Sequence, residues 1–318
     1  MSDDIPFDKR FDLSPGQVDE AMPGVRRVLA NNPGPFTFKG TVSYIIGTGE
    51  VAVIDPGPLD DAHVTALLAA VGHETVTHIF VTHTHRDHSP AAAFLKAATG
   101  AKTYAEGPHR PARLPPYPPP LAGEGREGVG EGKPLDSSGD RDFRPDVLLA
   151  DGEIVAGKGW ALEAVATPGH TANHMAFALK GTNVLFSGDH VMAWSTPVVA
   201  PPDGAMSDYM ASLEKLARRR ETFYFPGHGG AVTDAGAFVQ HYIRHRRARE
   251  AAILARLREG EADIPTLVAA IYVGLDPRLT RAAGLSVLAH LEDLTARGVT
   301  GTDGAPAIGS RYRLLVAP

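Results

Sequence analysis

The chain has no cysteine among its 318 residues. Disulfides are therefore excluded, and any metal must be held by nitrogen and oxygen ligands alone. No apolar run approaches the roughly 18 residues that a membrane-spanning helix needs. The opening "MSDDIPFDKRFDLSPG" is acidic and lacks the apolar stretch of a signal peptide. A soluble cytoplasmic protein with no membrane partner is the expectation. Surplus positive charge is missing too: the formal net charge is -6, so nucleic acid would be attracted only by a local basic patch. One stretch, Gly107 to Pro134, lacks apolar periodicity altogether and is half proline and glycine. It cannot bury enough surface to offset its own ordering entropy. It reads as the heart of an insertion over about 107–146, either a tolerated surface excursion or a lid.

What is present is a core-forming chain, 43% hydrophobic, long enough for one large core and a second small one. Its first part alternates strand and helix patterns. "TVSYIIG" and "EVAVIDPG" flank Thr48-Gly49 and read as a hairpin. "DDAHVTALLAAVG" has helical spacing and a glycine stop. "VTHIFVTH" reads as a strand, and "SPAAAFLKAATG" as a helix with Ser89 at its N-cap and Pro90 in its first turn. "DVLLADGEIVAG", "WALEAVATPGH", "HMAFALKG" and "NVLFSGDH" are strand-like, "MSDYMASLEKLARRR" is an amphipathic helix, and "TFYFPGH" a short strand. After about Asp234 the patterns turn helical, over 236–259, 264–273 and 278–297, and end in a small hairpin. The division expected is a catalytic domain over 1–234 and a winged-helix-like domain over 235–318.

The densest chemistry lies in "VTHTHRDHSP", where a strand runs into a helix, a frequent place for active sites in layered α/β folds. His83 and His85 are two apart on extended chain, so their side chains point the same way and can chelate one metal. Asp87 and His88 follow where the chain turns and can face a second. Three more candidates end apolar segments beside glycine or proline: His170, Asp189 and His228. Two ions about 3.5–4 Å apart suit hydrolysis, one polarising the substrate oxygen while both hold a deprotonated water.

With these motifs in order ("IDPG" at Asp55, "THTHRDH", "TPGHT", "SGD" and "PGHG"), the sequence resembles the metallo-β-lactamase fold superfamily. The resemblance implies an α/β four-layer αββα sandwich. It implies that His83, His85 and His170 bind one metal, that Asp87, His88 and His228 bind the other, and that Asp189 bridges them. Asp55 is then the acid beneath the site rather than a ligand. "NPGPFTFKGTVSYIIG", "SGDHVMAWSTPVVAPPDGAMSDYMASLEKL", "YFPGHGG" and "HRRAREAAIL" are similar to the subgroup typified by beta-lactamase-like protein 2, which carries a C-terminal winged helix. Two departures stand out: the proline-rich insertion, and Val42-Ser43 where Asn-Thr is expected.

Other residues have plainer readings. His174, four after His170, either supports the site through a hydrogen bond or is a buried structural histidine. His190 follows Asp189 and should point away from the metals, with lining of the substrate pocket as its alternative role. His63, His73, His78, His109, His241, His245 and His290 have no constellation around them and read as ordinary surface or core residues. The loop Ser195 to Met206 is a candidate groove wall. The run "IRHRRARE" is either a solvated face or a phosphate-contacting patch extended by Arg218 to Arg220. The combined expectation is a di-zinc hydrolase, with iron or manganese also suited to such ligands. A metal-bridging hydroxide would act on a small-molecule ester, thioester or lactone, with Asp87 orienting the nucleophile and exchanging its proton. The alternatives are a single-stranded RNA endonuclease and a non-catalytic metal-bound scaffold. Self-association into a homo-oligomer is left open.

Overall fold

The structure is a computed structural model that describes residues 5–112 and 139–315. Most of the proline- and glycine-rich insertion, and with it the question of a lid, lies outside the described residues.

Period-2 alternation sorts the first sheet's side chains onto two faces. In β3 (Val42–Ile46) and β4 (Glu50–Ile54), Ile45, Val51 and Val53 face one way, and Tyr44, Ile46, Ala52 and Ile54 the other. The first set packs against α1 (Asp61–Val71) and α2 (Ala91–Thr99) through Leu67, Val71, Ala92 and Leu95. The second set meets Leu162, Phe177 and Phe186 of a second sheet. That sheet's outer face, through Val165, Ala176 and Leu185, packs on α3 (Met206–Leu216) and the first half of α4 (Ala235–Arg258). Helix, sheet, sheet and helix form four layers, as expected from the sequence.

The first sheet runs in sequence order through β1 (Val18–Met22), β2 (Val25–Leu29), β3, β4, β5 (Thr75–Phe80), β6 (Lys102–Ala105) and β7 (Val147–Leu148). Its pairs are antiparallel up to β4 and parallel beyond, with α1 and α2 supplying the crossovers into β5 and β6. The second sheet contains β8 (Ile154–Gly157), β9 (Trp160–Ala166), β10 (Met175–Leu179), β11 (Val184–Gly188) and β12 (Phe223–Pro226). Only its β11–β12 pair is parallel, joined through α3. Strands β4, β5, β9, β11 and β12 all end at one rim, which is where the sequence put its metal-binding candidates.

The helix over 264–273 is α5 (Ile264–Ile271), and that over 278–297 is a 3-10 turn (Pro277–Leu279) running into α6 (Thr280–Ala296). The terminal hairpin is β14 (Thr300–Thr302) with β15 (Arg311–Leu314), and β13 (Ala262–Asp263) joins its free edge. These elements share a core of their own that includes Ile253 and Leu257 from the second half of α4. One helix thus contributes to two cores. The Ser89 expectation is corrected: Pro90 is the N-cap of α2, and no side chain caps the helix. Ser89 Oγ instead donates to Asp140 at 2.7 Å, because the segment after the insertion passes beside the turn.

Candidate metal centre

The structure brings all seven candidate ligands to the rim between the two sheets. His85 Nδ1 lies 3.0 Å from His83 Nε2 and 3.0 Å from His170 Nε2. Alongside, Asp87 Oδ2 is 3.1 Å from His228 Nε2 and 3.4 Å from His88 Nε2. Asp189 stands between, its Oδ2 3.3 Å from His228 Nε2 and 3.7 Å from His170 Nε2. Three overlapping groups of donors could hold a metal: His83, His85 and His170; His83, His88 and Asp189; and Asp87, His88 and His228.

The outer nitrogens show whether this cluster fits a metal. His170 Nδ1 faces Val198 O at 2.6 Å, His228 Nδ1 faces Gly40 O at 3.1 Å, and His88 Nδ1 faces Asp55 Oδ2 at 2.8 Å. Each acceptor places the proton on the outer nitrogen and leaves the inner Nε2 lone pair aimed at the cluster. His85 is turned the other way round: its Nε2 faces Asp203 Oδ2 at 3.4 Å, leaving Nδ1 inward. The buried Nε2 atoms of His88 and His228 and Oδ1 of Asp189 have no hydrogen-bond partner. Converging inward lone pairs with orphaned atoms are what a cation-binding site requires.

Electrostatics point the same way. Burial alone would lower His228, but Asp189 and Asp87 outweigh it and push its pKa up to about 10. Burial would likewise lower His88, yet Asp87 and Asp189 hold it well above the usual value. The two carboxylates, which burial alone would raise, are held well below theirs by the same imidazoles. The pair of acids demands positive charge at this spot. His83 and His170 respond to burial and to neighbouring histidines instead, and both are lowered, His170 to about 4.

Behind the cluster, Asp55 accepts from Thr82 N at 2.7 Å, from Thr82 Oγ1 at 2.7 Å and from His88 Nδ1. It does so from a left-handed backbone with φ 50°, uncommon for a non-glycine residue and a local strain. His63 approaches Ser43 Oγ at 2.9 Å, and Ser43 donates to Asp55 O at 2.5 Å, so a contact exists at the unexpected Ser43. His174 Nε2 accepts the Asp189 N–H at 3.1 Å while Nδ1 faces Thr167 Oγ1 at 2.8 Å. It is both buried and in contact with the site. Gly227 is required beside them: a Cβ there would come within 2.6 Å of both Asp189 Oδ1 and His88 Cε1.

A cavity of about 470 Å³ opens from His85, Asp87, His170 and Asp189. The loop Ser195 to Asp203 forms one wall, Phe36 and Trp194 contribute to another, and Tyr272, Leu275 and Leu279 close it from beyond α5. His190 is not among its lining residues; it is buried against Tyr209, with ring centroids 4.5 Å apart. Two sequence readings are corrected here. His245 lines the cavity. His109 has a constellation, its Nε2 lying 3.0 Å from Asp203 Oδ1 and its Nδ1 3.1 Å from Thr84 Oγ1. Asp203, overlooked in the sequence, therefore lies between His85 and His109. Its loop was read only as a candidate groove wall, and a loop carries no information about distant partners.

The arginine run separates into unlike members. Arg247 is exposed and pairs with Glu214 at 3.1 Å, and Arg218 approaches the same carboxylate at 3.9 Å. Arg249 donates to Ile271 O at 3.0 Å and stacks on Tyr272. Arg246 is buried.

This arrangement of four layers, with a histidine and aspartate cluster on the rim between sheets, is that of a metallo-hydrolase. The chain belongs to the metallo-β-lactamase superfamily, whose profile matches residues 36–228, and a profile for the beta-lactamase associated winged helix domain matches 264–306. A Caenorhabditis elegans protein named beta-lactamase-like protein 2 homolog is 32% identical over 77% of this chain and 74% of its own. A Claviceps purpurea protein named atrochrysone carboxyl ACP thioesterase is 26% identical over 80% of this chain and 74% of its own. The crystal structure of a metallo-beta-lactamase family protein from Thermus thermophilus superposes with a TM-score of 0.72 at 27% identity, covering 93% of this chain and all of that one. No helix among the described residues is long and apolar enough to cross a membrane.

Proposed function

We propose that the protein is a dinuclear metal hydrolase of small esters or thioesters. The observation that carries this is the largely apolar cavity that opens directly onto the histidine and aspartate cluster. An acyl substrate fits such a cavity, whereas RNA would need an open basic groove. The name of the Claviceps purpurea relative supports a thioester in particular.

In this reading His83, His85 and His170 would hold one metal, Asp87, His88 and His228 would hold the other, and Asp189 would serve both. Zinc suits this all-nitrogen-and-oxygen set, as iron or manganese would. When bound, two such ions supply a water acidic enough to attack at neutral pH and a Lewis acid for the carbonyl oxygen. The chain's residues supply the rest. Asp87 is the ligand candidate facing the cavity with the most exposed side chain, 24%. Its carboxylate orients the attacking water, accepts the water's proton and delivers one to the leaving group. Asp55 and His174 from behind, and Asp203 from the cavity wall, keep three of the other groups in register. Trp194, Phe36 and Leu275 exclude bulk water and hold the acyl chain. The catalytic machinery is assigned to residues 1–234, with residues 235–318 closing the substrate cavity.

The test is hydrolysis of a panel of acyl thioesters and aryl esters by metal-loaded protein beside the Asp189→Asn variant, with metal content measured for both. Turnover by the wild type and its loss in the variant, along with loss of bound metal, is expected. Inactivity on the whole panel, with cleavage of a labelled single-stranded RNA instead, would overturn the acyl reading.

A further inference from the structure

Arg246 lies in the middle of α4, where the helix passes between the two cores, and its side chain lines the same cavity as Asp87 and Asp189. It is 3% exposed. Its Nη2 donates to Pro197 O at 2.6 Å, and the guanidinium carbon sits 5.1 Å from the Tyr209 ring centroid. Its Nε has no hydrogen-bond partner. Among the described residues no carboxylate stands within ion-pair distance of it. The other titratable groups that face it supply no negative charge: the phenols of Tyr209 and Tyr242 are pushed up by burial and stay neutral, and His245 beside it on the cavity wall is lowered to about 4 by burial and by Arg246 and Arg249. The deeply buried carboxylates differ in having an opposite partner close by, as Asp55 does with His88 and Asp189 with His228. An arginine cannot escape by losing its proton. A buried, permanently charged group without a counter-ion is strongly unfavourable unless something else supplies the charge.

We propose that Arg246 is the recognition residue for an anionic oxygen group on the substrate. The substrate would be an ester or thioester whose apolar body fills the cavity and whose carboxylate, or an equivalent oxyanion, reaches the guanidinium while the scissile carbonyl lies at the metal cluster. Pro197 O and the Tyr209 ring fix the planar fork, so the residue presents its remaining donors in one orientation. Tyr272, Leu275 and Leu279 then clamp the segment between the two ends. This rests on the acyl-hydrolase reading for the reaction but is tested without turnover.

The probes are 4-propylbenzenesulfonate, an anion with weak affinity for metals, and the neutral 4-propylphenyl methyl sulfone of nearly the same shape. Their binding to the metal-loaded full chain is measured by calorimetry, for the wild type, Arg246→Gln and Arg246→Lys. The expected result is a preference of roughly tenfold or more for the sulfonate in the wild type. That preference should fall to about one in Arg246→Gln and be partly kept in Arg246→Lys. In protein labelled with nitrogen-15 arginine, the sulfonate should also shift one protected Nε–H resonance that is missing from the lysine variant. This second measurement holds even where the glutamine variant does not fold. Equal binding of the two probes by the wild type, a preference that survives in folded Arg246→Gln, or a shift confined to other arginines would each overturn the proposal. A sulfonate preference in a protein that hydrolyses no thioester or ester would sink the acyl reading and leave this site standing.

Discussion

In the cluster that floors the cavity through His85, Asp87, His170 and Asp189, the rings of His83, His85, His88, His170 and His228 each have an outer partner that fixes them and a second nitrogen turned inward. On the wall, Leu275, Leu279 and Trp194 line the same space through apolar packing, and Arg246 is tethered there by one backbone oxygen. The floor is specified by hydrogen-bond geometry, where a displacement of one atom changes what a lone pair can reach. The wall is specified by volume, and volume can be exchanged between side chains. Chemistry should therefore be sensitive to single atoms on the floor, and substrate choice to bulk and charge on the wall.

The sharpest way to break that comparison is Asp87→Asn. The substitution keeps the shape and one oxygen but removes the base, so kcat should fall by about 10²–10⁴-fold while the melting temperature stays close to that of the wild type. Metal content measured beside the rate separates loss of a ligand from loss of a base. A rate within about threefold of wild type would mean that Asp87 handles no proton. One layer back, Asp55→Asn keeps the volume yet cannot accept from both Thr82 and His88 as a charged group. Metal affinity should drop about 10–100-fold, read by competition with a chromophoric chelator. An unchanged affinity would show that the floor is held by the fold alone, without its hydrogen bonds.

How much of this was visible in the sequence follows the same division. The cluster from His83 to His88 was legible because its spacing is local, and His170, Asp189 and His228 because each ends an apolar run at a glycine or proline. The central strands were legible because burial on both sides makes them continuous apolar runs. The first hairpin was not. Val18–Met22 and Val25–Leu29 carry charges within the strands, and these are satisfied by pairing Arg27 with Asp19 at 2.6 Å and Arg26 with distant Glu74. Ser89 was misplaced because its partner, Asp140, is 51 positions away. Asp203 and His109 were missed for the same reason, and an arginine without a counter-ion cannot be seen in a string of letters at all. What the sequence conceals is mainly long-range pairing of polar groups.

On the wall, Leu275→Ala removes apolar bulk that touches substrate in the ground state and transition state alike. KM should rise roughly tenfold for a long acyl chain and change little for an acetyl ester, with kcat nearly constant. A fall in kcat at unchanged KM would move Leu275 from the wall to the reaction, and the contrast with Asp87 would collapse.

The smallest effect expected lies behind the wall, on the helix that supplies Ala283 and Ser286. His290 is buried with both ring nitrogens unpartnered, and burial, then the charges of Arg246 and its neighbours, lower its pKa to about 3. The unfolded chain, with an ordinary histidine near 6.5, therefore takes up the proton first as pH falls. This residue's contribution to stability is complete above about pH 6.5 and is lost progressively as pH drops toward 3. At pH 6 the loss is about 1 kcal/mol, and His290→Leu should remove it. Urea unfolding at pH 7.5 and pH 6 reads the difference: the wild type should lose about 1 kcal/mol more than the variant between the two. An equal loss would mean that His290 finds a partner or solvent in the folded protein, and that the positive field around Arg246 is already offset from within the protein.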